Sequence, residues 1–339
     1  INGILYFLLQ AKVEPGNVNN VQLSPTLQAT KSNYSQVHGG NKQAYLKIAE
    51  GCDNKCTYCA IPLITGKYKS RSIEAIEQEV KELVAKGVSE FQLIAQDLTY
   101  YGKDLYQKFA LADLLVRLSD VPGVKWIRLH YAYPTQFPYD ILPVIRERDN
   151  ICKYLDIALQ HSSDSMLQKM HRGITCAETE ALLQRIRQEV PGICLRTTLM
   201  VGHPGETEAD FEDLLAFVER QKFERMGAFA YSDEENTYAN LHYQDDVPAE
   251  VKQQRLDALM RLQQRISYQH NQTLVGTLQT VVVDRIEGDY YVARTQYDSP
   301  DVDTECLIAC ATCDLQIGSY YLVKITKAEE FDFYAEVQN

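Results

Sequence analysis

The chain has 339 residues, 45% of them hydrophobic, and a formal net charge of −12, which suits a soluble globular protein of two domains with a sizeable core. The acidic balance argues against a general nucleic-acid-binding surface, which needs clustered Lys and Arg to meet phosphates, and is more welcoming to a basic partner. Nine Cys, three of them in one loop and the rest mostly scattered, fit a reducing, cytoplasmic setting, and no structural disulfide is expected.

The apolar run from Gly3 to Leu9 is too short to span a bilayer and lacks the flanks of a signal peptide, so it reads as a fragment of a core strand or helix. A first residue of Ile rather than Met suggests that something upstream is missing. Residues 10–41 are rich in Asn, Gln, Ser, Thr and Gly and read as linker, so 1–41 is expected to be a linker or the remnant of an N-terminal domain.

From residue 42 the pattern changes. Short apolar strands at 44–49, 90–96, 124–130, 154–159, 193–201 and 225–231 alternate with amphipathic helices at about 72–86, 110–119, 138–149, 177–189, 207–221 and 248–270, the pattern of a parallel α/β sheet. Six units fall short of the eight in a full barrel. Ser72, with Glu74 in the first turn and Gly87 after the end, bounds one helix, and Thr207 with Asp210 starts another. In the last helix Leu256, Leu259, Met260, Leu262 and Ile266 form an apolar stripe that predicts core contact.

Directly after the first strand comes GCDNKCTYCAIP, which places Cys52, Cys56 and Cys59 in one tight loop. Three thiolates where closed metal sites want four argue for a metal centre with one open position. Two plainer readings compete: three quarters of a structural zinc site, or a chance cluster of small hydrophobes, although zinc sites usually show two spaced pairs. Barrel chemistry sits at the C-terminal ends of strands. That end also collects Gln96 and Asp97, His130 and Tyr131, and Gln160 and His161, each of which also reads as an ordinary loop cap, the two His as structural. The GHPGETE turn, with His203, is a Gly-flanked junction whose backbone could approach a cofactor closely, and it lacks the Lys of a phosphate loop.

Beyond a boundary near residue 271, TVVVDRIEG, DYYVARTQY and YYLVKITKAEEFDFYAEV predict a small antiparallel barrel or sandwich. Residues 271–339 hold twelve Asp and Glu against four Lys and Arg, a net of −8, so this tail should repel RNA and attract a basic protein. Cys306, Cys310 and Cys313 repeat the spacing of the first motif without its Gly turn or aromatic residue. They read as packing thiols, as do Cys152, Cys176 and Cys194.

The spacing of Cys52, Cys56 and Cys59, with Tyr58 before the third, resembles the radical S-adenosylmethionine (SAM) signature. AYLKIAEGC, CAIPLITGKYKSR, LIAQDLTYYGKDLY, LQHSSDSMLQKMHRG and GHPGETEADF resemble the methylthiotransferase branch of that family, and TQYDSPDVDTE is similar to the tail of its protein-modifying rather than its tRNA-modifying members. The resemblance runs from about residue 42 to the end. It implies an α/β fold, an open six-unit (βα)6 partial TIM barrel over 42–270, followed by a small all-β TRAM (OB-like) barrel over 271–339 that grips the substrate. It further implies a 4Fe-4S cluster on Cys52, Cys56 and Cys59 whose unligated iron chelates SAM. The implied reaction is addition of a methylthio group to the β-carbon of an aspartate of ribosomal protein S twelve, through a 5′-deoxyadenosyl radical.

Tyr58, Gln96, Gln160, Thr198 and Met200, in the cluster loop or towards strand ends, are the candidate SAM contacts; no catalytic acid or base is assigned. In the family a second cluster is held by three Cys of an N-terminal domain, and it is expected from a region missing here. Expected partners are ribosomal protein S twelve or the small ribosomal subunit and a flavodoxin- or ferredoxin-type electron donor, the chain being a monomer away from membranes. Two alternatives stay open: a tRNA adenosine methylthiotransferase, and a non-catalytic, zinc-stapled ribosome-binding module.

Overall fold

The computed structural model describes residues 35–37 and 42–338. The apolar run Gly3–Leu9 and most of the expected linker lie outside the described residues. The first domain is a sheet with strands β1 (Ser35–Val37), β2 (Gln43–Lys47), β5 (Glu90–Ile94), β6 (Trp126–Ala132), β7 (Ile151–Gln160), β8 (Cys194–Val201) and β9 (Arg225–Ala230), side by side in that order. A two-residue ribbon of β3 (Ala49–Glu50) and β4 (Lys69–Ser70) stands apart from it. From β2 to β9 all neighbours are parallel. The six expected strands are therefore the six parallel ones. β1 is an addition: it comes from the stretch read as linker and pairs antiparallel with β2, Ser35 opposite Leu46. Its polar residues carry no strand signal, because an edge strand is held by backbone pairing.

Crossover helices α1 (Ile73–Ala85), α2 (Leu111–Ser119), α3 (Ile141–Glu147), α4 (Cys176–Glu189) and α5 (Glu208–Gln221) follow β4, β5, β6, β7 and β8, and α6 (Ala249–Leu274) follows β9. The caps form as the sequence predicts. Ser72 accepts from the backbone N–H of Ala75, and Thr207 and Asp210 close a reciprocal capping box.

Alternation along each strand separates two faces. Phe91, Leu93, Ile127, Leu129, Leu155, Ile157, Leu195 and Leu199 pack in one core with helix residues such as Ile76, Leu114 and Leu214. The opposite face carries buried Glu90, Gln92, Arg128, His130, Asp156, Gln160 and Arg196.

Helix α6 makes the core contact its stripe predicts, with Leu259 and Ile266 in the core and Leu256 and Leu262 packed against it, and it buries a polar row besides. That row includes Lys252, Arg255 and Gln263. The polar members are there to hold loops: Arg255 pairs with Glu206 at 2.8 Å, Gln263 donates to the Phe223 carbonyl at 2.9 Å, and Lys252 pairs with Asp245 at 2.6 Å.

Strands β10 (Leu278–Glu287), β11 (Tyr290–Thr295), β12 (Glu305–Ala309), β13 (Tyr320–Ala328) and β14 (Asp332–Val337) close a barrel in the order β10-β11-β12-β14-β13. This decides between barrel and sandwich. Cys306 is fully buried in its core and Cys310 and Cys313 pack against it. All nine Cys are free.

The β11–β12 loop seals this small barrel against the N-terminal end of the parallel strands, where Glu90, Trp126, Cys194 and Arg225 are the first residues of β5, β6, β8 and β9. Arg294 reaches Glu90 at 2.9 Å, Asp298 holds Arg225 at 2.7 Å, and Asp303 meets Arg196 at 3.3 Å and the Tyr154 hydroxyl at 2.9 Å. Trp126, Cys152, Tyr154 and Cys194 bury their apolar surface with Val282, Tyr297 and Tyr320. The acidic tail is thus not wholly an outward-facing charge. Asp284, Asp298 and Asp303 neutralise arginines buried within the molecule. Among the described residues no helix is long and apolar enough to cross a membrane.

Candidate metal and cofactor site

The cysteine loop begins at Gly51, whose φ is +81° and where an added Cβ would stand 2.1 Å from the Lys67 carbonyl oxygen. Only glycine fits there. The loop is then pinned from several strand ends. The Cys52 N–H donates to the Gly66 carbonyl at 3.2 Å, Asn54 donates to Asp97 at 2.8 Å, and the Thr57 N–H donates to the Met170 carbonyl at 3.2 Å. The Ala239 N–H donates to the Thr57 carbonyl at 2.8 Å. Thr57 is fully buried and its hydroxyl donates to the Lys169 carbonyl at 3.0 Å, with His203 Nε2 3.3 Å away.

His203 is therefore a support beneath the loop, and burial pushes its pKa down to about 4, which keeps it neutral. The close approach expected of GHPGETE is made to lysines. A Cβ on Gly202 would meet Lys252, and one on Gly205 would meet Lys169. His130 is held by the Gln92 side chain at 2.9 Å, and burial lowers its pKa well below the ordinary range. His161 accepts the Ser163 N–H on Nδ1 at 3.0 Å.

The three thiols are partly exposed and share one environment. Burial pushes Cys52 up to about 12 and Cys59 up to about 11, with the neighbouring thiols adding to the rise. Bare, these two stay protonated at neutral pH, and a bound cation is what would ionise them. Among the described residues no three His, Cys, Asp or Glu are grouped to hold a single metal ion. A polynuclear cluster places each thiolate on a different iron, and three thiols in one loop are the donors that a cluster with one open iron takes.

The strand ends supply a second fit. Gln96 Oε1, Gln160 Oε1 and Ser162 Oγ are buried without a hydrogen-bond partner. Orphaned buried polar atoms of this kind call for a polar ligand. Gln160 also adopts a φ of +71°, a strained conformation of the sort that collects at functional sites. Thr198, on the polar face of β8, lies 3.4 Å from Arg196 Nη1. Met200 is buried with Met166, Met170, Tyr231 and Ala239, and Tyr58 packs against that cluster. The structure therefore joins Tyr58 to Met200 and sets Gln96, Gln160 and Thr198 on three different strands or strand ends.

Two neighbours of the thiols were not singled out from the sequence. Arg172 Nη1 donates to both Cys56 Sγ and the Tyr58 hydroxyl at 3.2 Å, and the Tyr133 hydroxyl lies 3.5 Å from Cys56 Sγ. Arg172 carries no signal beyond its place in KMHRG. Tyr133 carries none, because its contact with the loop is entirely tertiary.

Residues 46–218 match the radical SAM superfamily and residues 275–337 the TRAM domain. The ribosomal protein uS12 methylthiotransferase RimO of Parabacteroides distasonis is 62% identical over 296 residues, covering 87% of this chain and 68% of the relative. The chain belongs to the RimO family. RimO of Bacteroides thetaiotaomicron is 58% identical over 296 residues, with the same coverage of 87% and 68%. RimO of Porphyromonas gingivalis is 57% identical over 314 residues, covering 91% of this chain and 72% of the relative. The chain spans about two thirds of the length of these RimO relatives. Residues 1–60 also match NDP-hexose 2,3-dehydratase, a stretch that runs through the first barrel strand and all three thiols of the loop. There the parallel sheet and the cysteine loop agree with the radical SAM match.

Proposed function

We propose that the chain is a uS12 methylthiotransferase, adding a methylthio group to the β-carbon of an aspartate of ribosomal protein uS12. The observation that carries this is the 62% identity to a RimO enzyme across 87% of the chain, over both barrels. In this reading Cys52, Cys56 and Cys59 hold a 4Fe-4S cluster with SAM on its open iron. Bound there, the pair supplies a radical able to take hydrogen from an unactivated carbon, which no side-chain acid or base can do.

The work of the chain itself is positioning and exclusion of water. Gly51, Asn54 and Thr57 fix the loop. Gln96 and Gln160 offer free acceptors to the cofactor, and Tyr58 and Met200 form an apolar wall. A flavodoxin- or ferredoxin-type protein is proposed as electron donor. A second cluster, held by the part of the relatives' length that the match leaves out, is proposed to handle the transferred sulfur.

Anaerobic reconstitution with iron and sulfide tests the core of the proposal. A reducible cluster whose paramagnetic resonance spectrum changes with SAM, and 5′-deoxyadenosine formed under dithionite, are expected. Cys56→Ala should abolish that cleavage. Stoichiometric zinc with no cluster would overturn the reading in favour of a stapled module, and methylthiolation of tRNA rather than uS12 would overturn the substrate.

A further inference from the structure

Arg172 is a buried cation of an unusual kind. Among the described residues the other buried arginines, Arg128, Arg196, Arg225, Arg255 and Arg294, each pair with a carboxylate. Arg172 is 3% exposed and is surrounded instead by a thiol, two phenols and a carbonyl. Its Nη1 faces Cys56 Sγ and the Tyr58 hydroxyl, Nη2 donates to the Ala158 carbonyl, and its guanidinium lies 4.1 Å from the centre of the Tyr133 ring. Nε is buried without a partner. A desolvated cation with no anion is costly. The group beside it that becomes anionic on binding metal is Cys56.

We propose that Arg172 is a positioning residue that sets the reduction potential of the cluster by donating to the Cys56 thiolate. The inference rests on the assignment of Cys52, Cys56 and Cys59 as cluster ligands. Reduction adds one electron to a cluster already made anionic by its thiolates, and a fixed cation with an N–H aimed at one sulfur favours the more negative state. The low dielectric around a buried pair strengthens the effect. Tyr133, through its hydroxyl at 3.5 Å from the same sulfur, acts in the same direction more weakly.

The test is an anaerobic redox titration of the reconstituted chain, followed by absorption and paramagnetic resonance, for wild type, Arg172→Met, Arg172→Lys and Tyr133→Phe. Arg172→Met should shift the reduction equilibrium at least tenfold towards the oxidised cluster, about 59 mV for one electron. Arg172→Lys should recover most of that shift, and Tyr133→Phe should give a smaller one of the same sign, all with unchanged iron and sulfide per chain. Equal potentials in wild type and Arg172→Met would overturn the proposal, as would an unchanged potential with lost SAM binding, which would make Arg172 a cofactor contact. Failure of both Arg172 variants to hold a cluster would overturn it in favour of a scaffold role. A wild-type chain that holds no cluster would instead bring down the functional assignment on which it rests.

Discussion

At position 51 the backbone turns through a conformation closed to other residues, and the Lys67 carbonyl occupies the space a side chain would need. Gly51→Ala must therefore move β3 or the strand opposite it, at a cost of about 2 kcal/mol or more. Loss of iron uptake together with a lowered melting temperature is the expected result, read by iron content and thermal unfolding. At this scale the sequence is most legible where chemistry is local. Cys52, Cys56, Cys59 and Tyr58 announce themselves by spacing. Asp97, Met170 and Ala239, which pin the loop, are remote in sequence and belong to three other units of the barrel. Asp97 is marked only by its place at a strand end, and nothing around Met170 or Ala239 marks either as a support of the loop.

At the scale of elements, helix starts are legible because a cap is a short-range hydrogen bond. Asp210 shows how far such a cap can be extended: it closes the box with Thr207 and also accepts hydrogen bonds from Ser163 and Ser165 at the start of the short helix that follows β7. Burial opposes its ionisation, but these donors hold its pKa below the usual carboxylate range. Thr207→Ala should cost about 1 kcal/mol, the ordinary worth of a cap. Asp210→Ala should cost more, since it also releases the start of that short helix, and urea unfolding of the two variants compares them directly. Strand order was legible from the repeat of apolar runs and helices. The buried polar face of those strands and the polar row of α6 were not, because Arg128, Arg196, Arg255 and Gln263 look like surface residues until their partners are placed beside them.

For the whole molecule, the joint between the two barrels carries buried ion pairs beside its apolar contacts. Burial alone would raise the Glu90 carboxyl, yet Arg294 and Arg128 hold it down to about 2, against an ordinary 4.5. A depressed carboxyl contributes stability that is fully present above its unfolded pKa and is lost as pH falls through the folded value. Here that contribution is about 3 kcal/mol, present at neutral pH and draining away between about pH 4.5 and 2. The melting temperature should accordingly fall steeply below about pH 4.5, and Glu90→Gln, less stable to begin with, should show a shallower fall over the same range. An equal acid slope in both proteins would refute this account of the joint. The sequence held the acidic balance of the tail in plain view. It did not show that part of that charge faces inward.

The β11–β12 loop, with Asp298 and Asp303 seated on Arg225 and Arg196, bears on how such a protein can be recombined. A TRAM domain is easily imagined as a detachable module, exchanged between relatives to redirect one catalytic barrel to new substrates. In this chain the module carries the counter-ions of arginines that belong to the catalytic barrel, and the barrel's Glu90 is in turn a counter-ion for the module's Arg294. A transplanted domain that lacked those acids would strand Arg225 in the interior of its new host and leave Arg196 with Asp156 alone. Any successful chimera has to inherit the residues on both sides of the seam together, so substrate choice and barrel integrity are passed on as one unit.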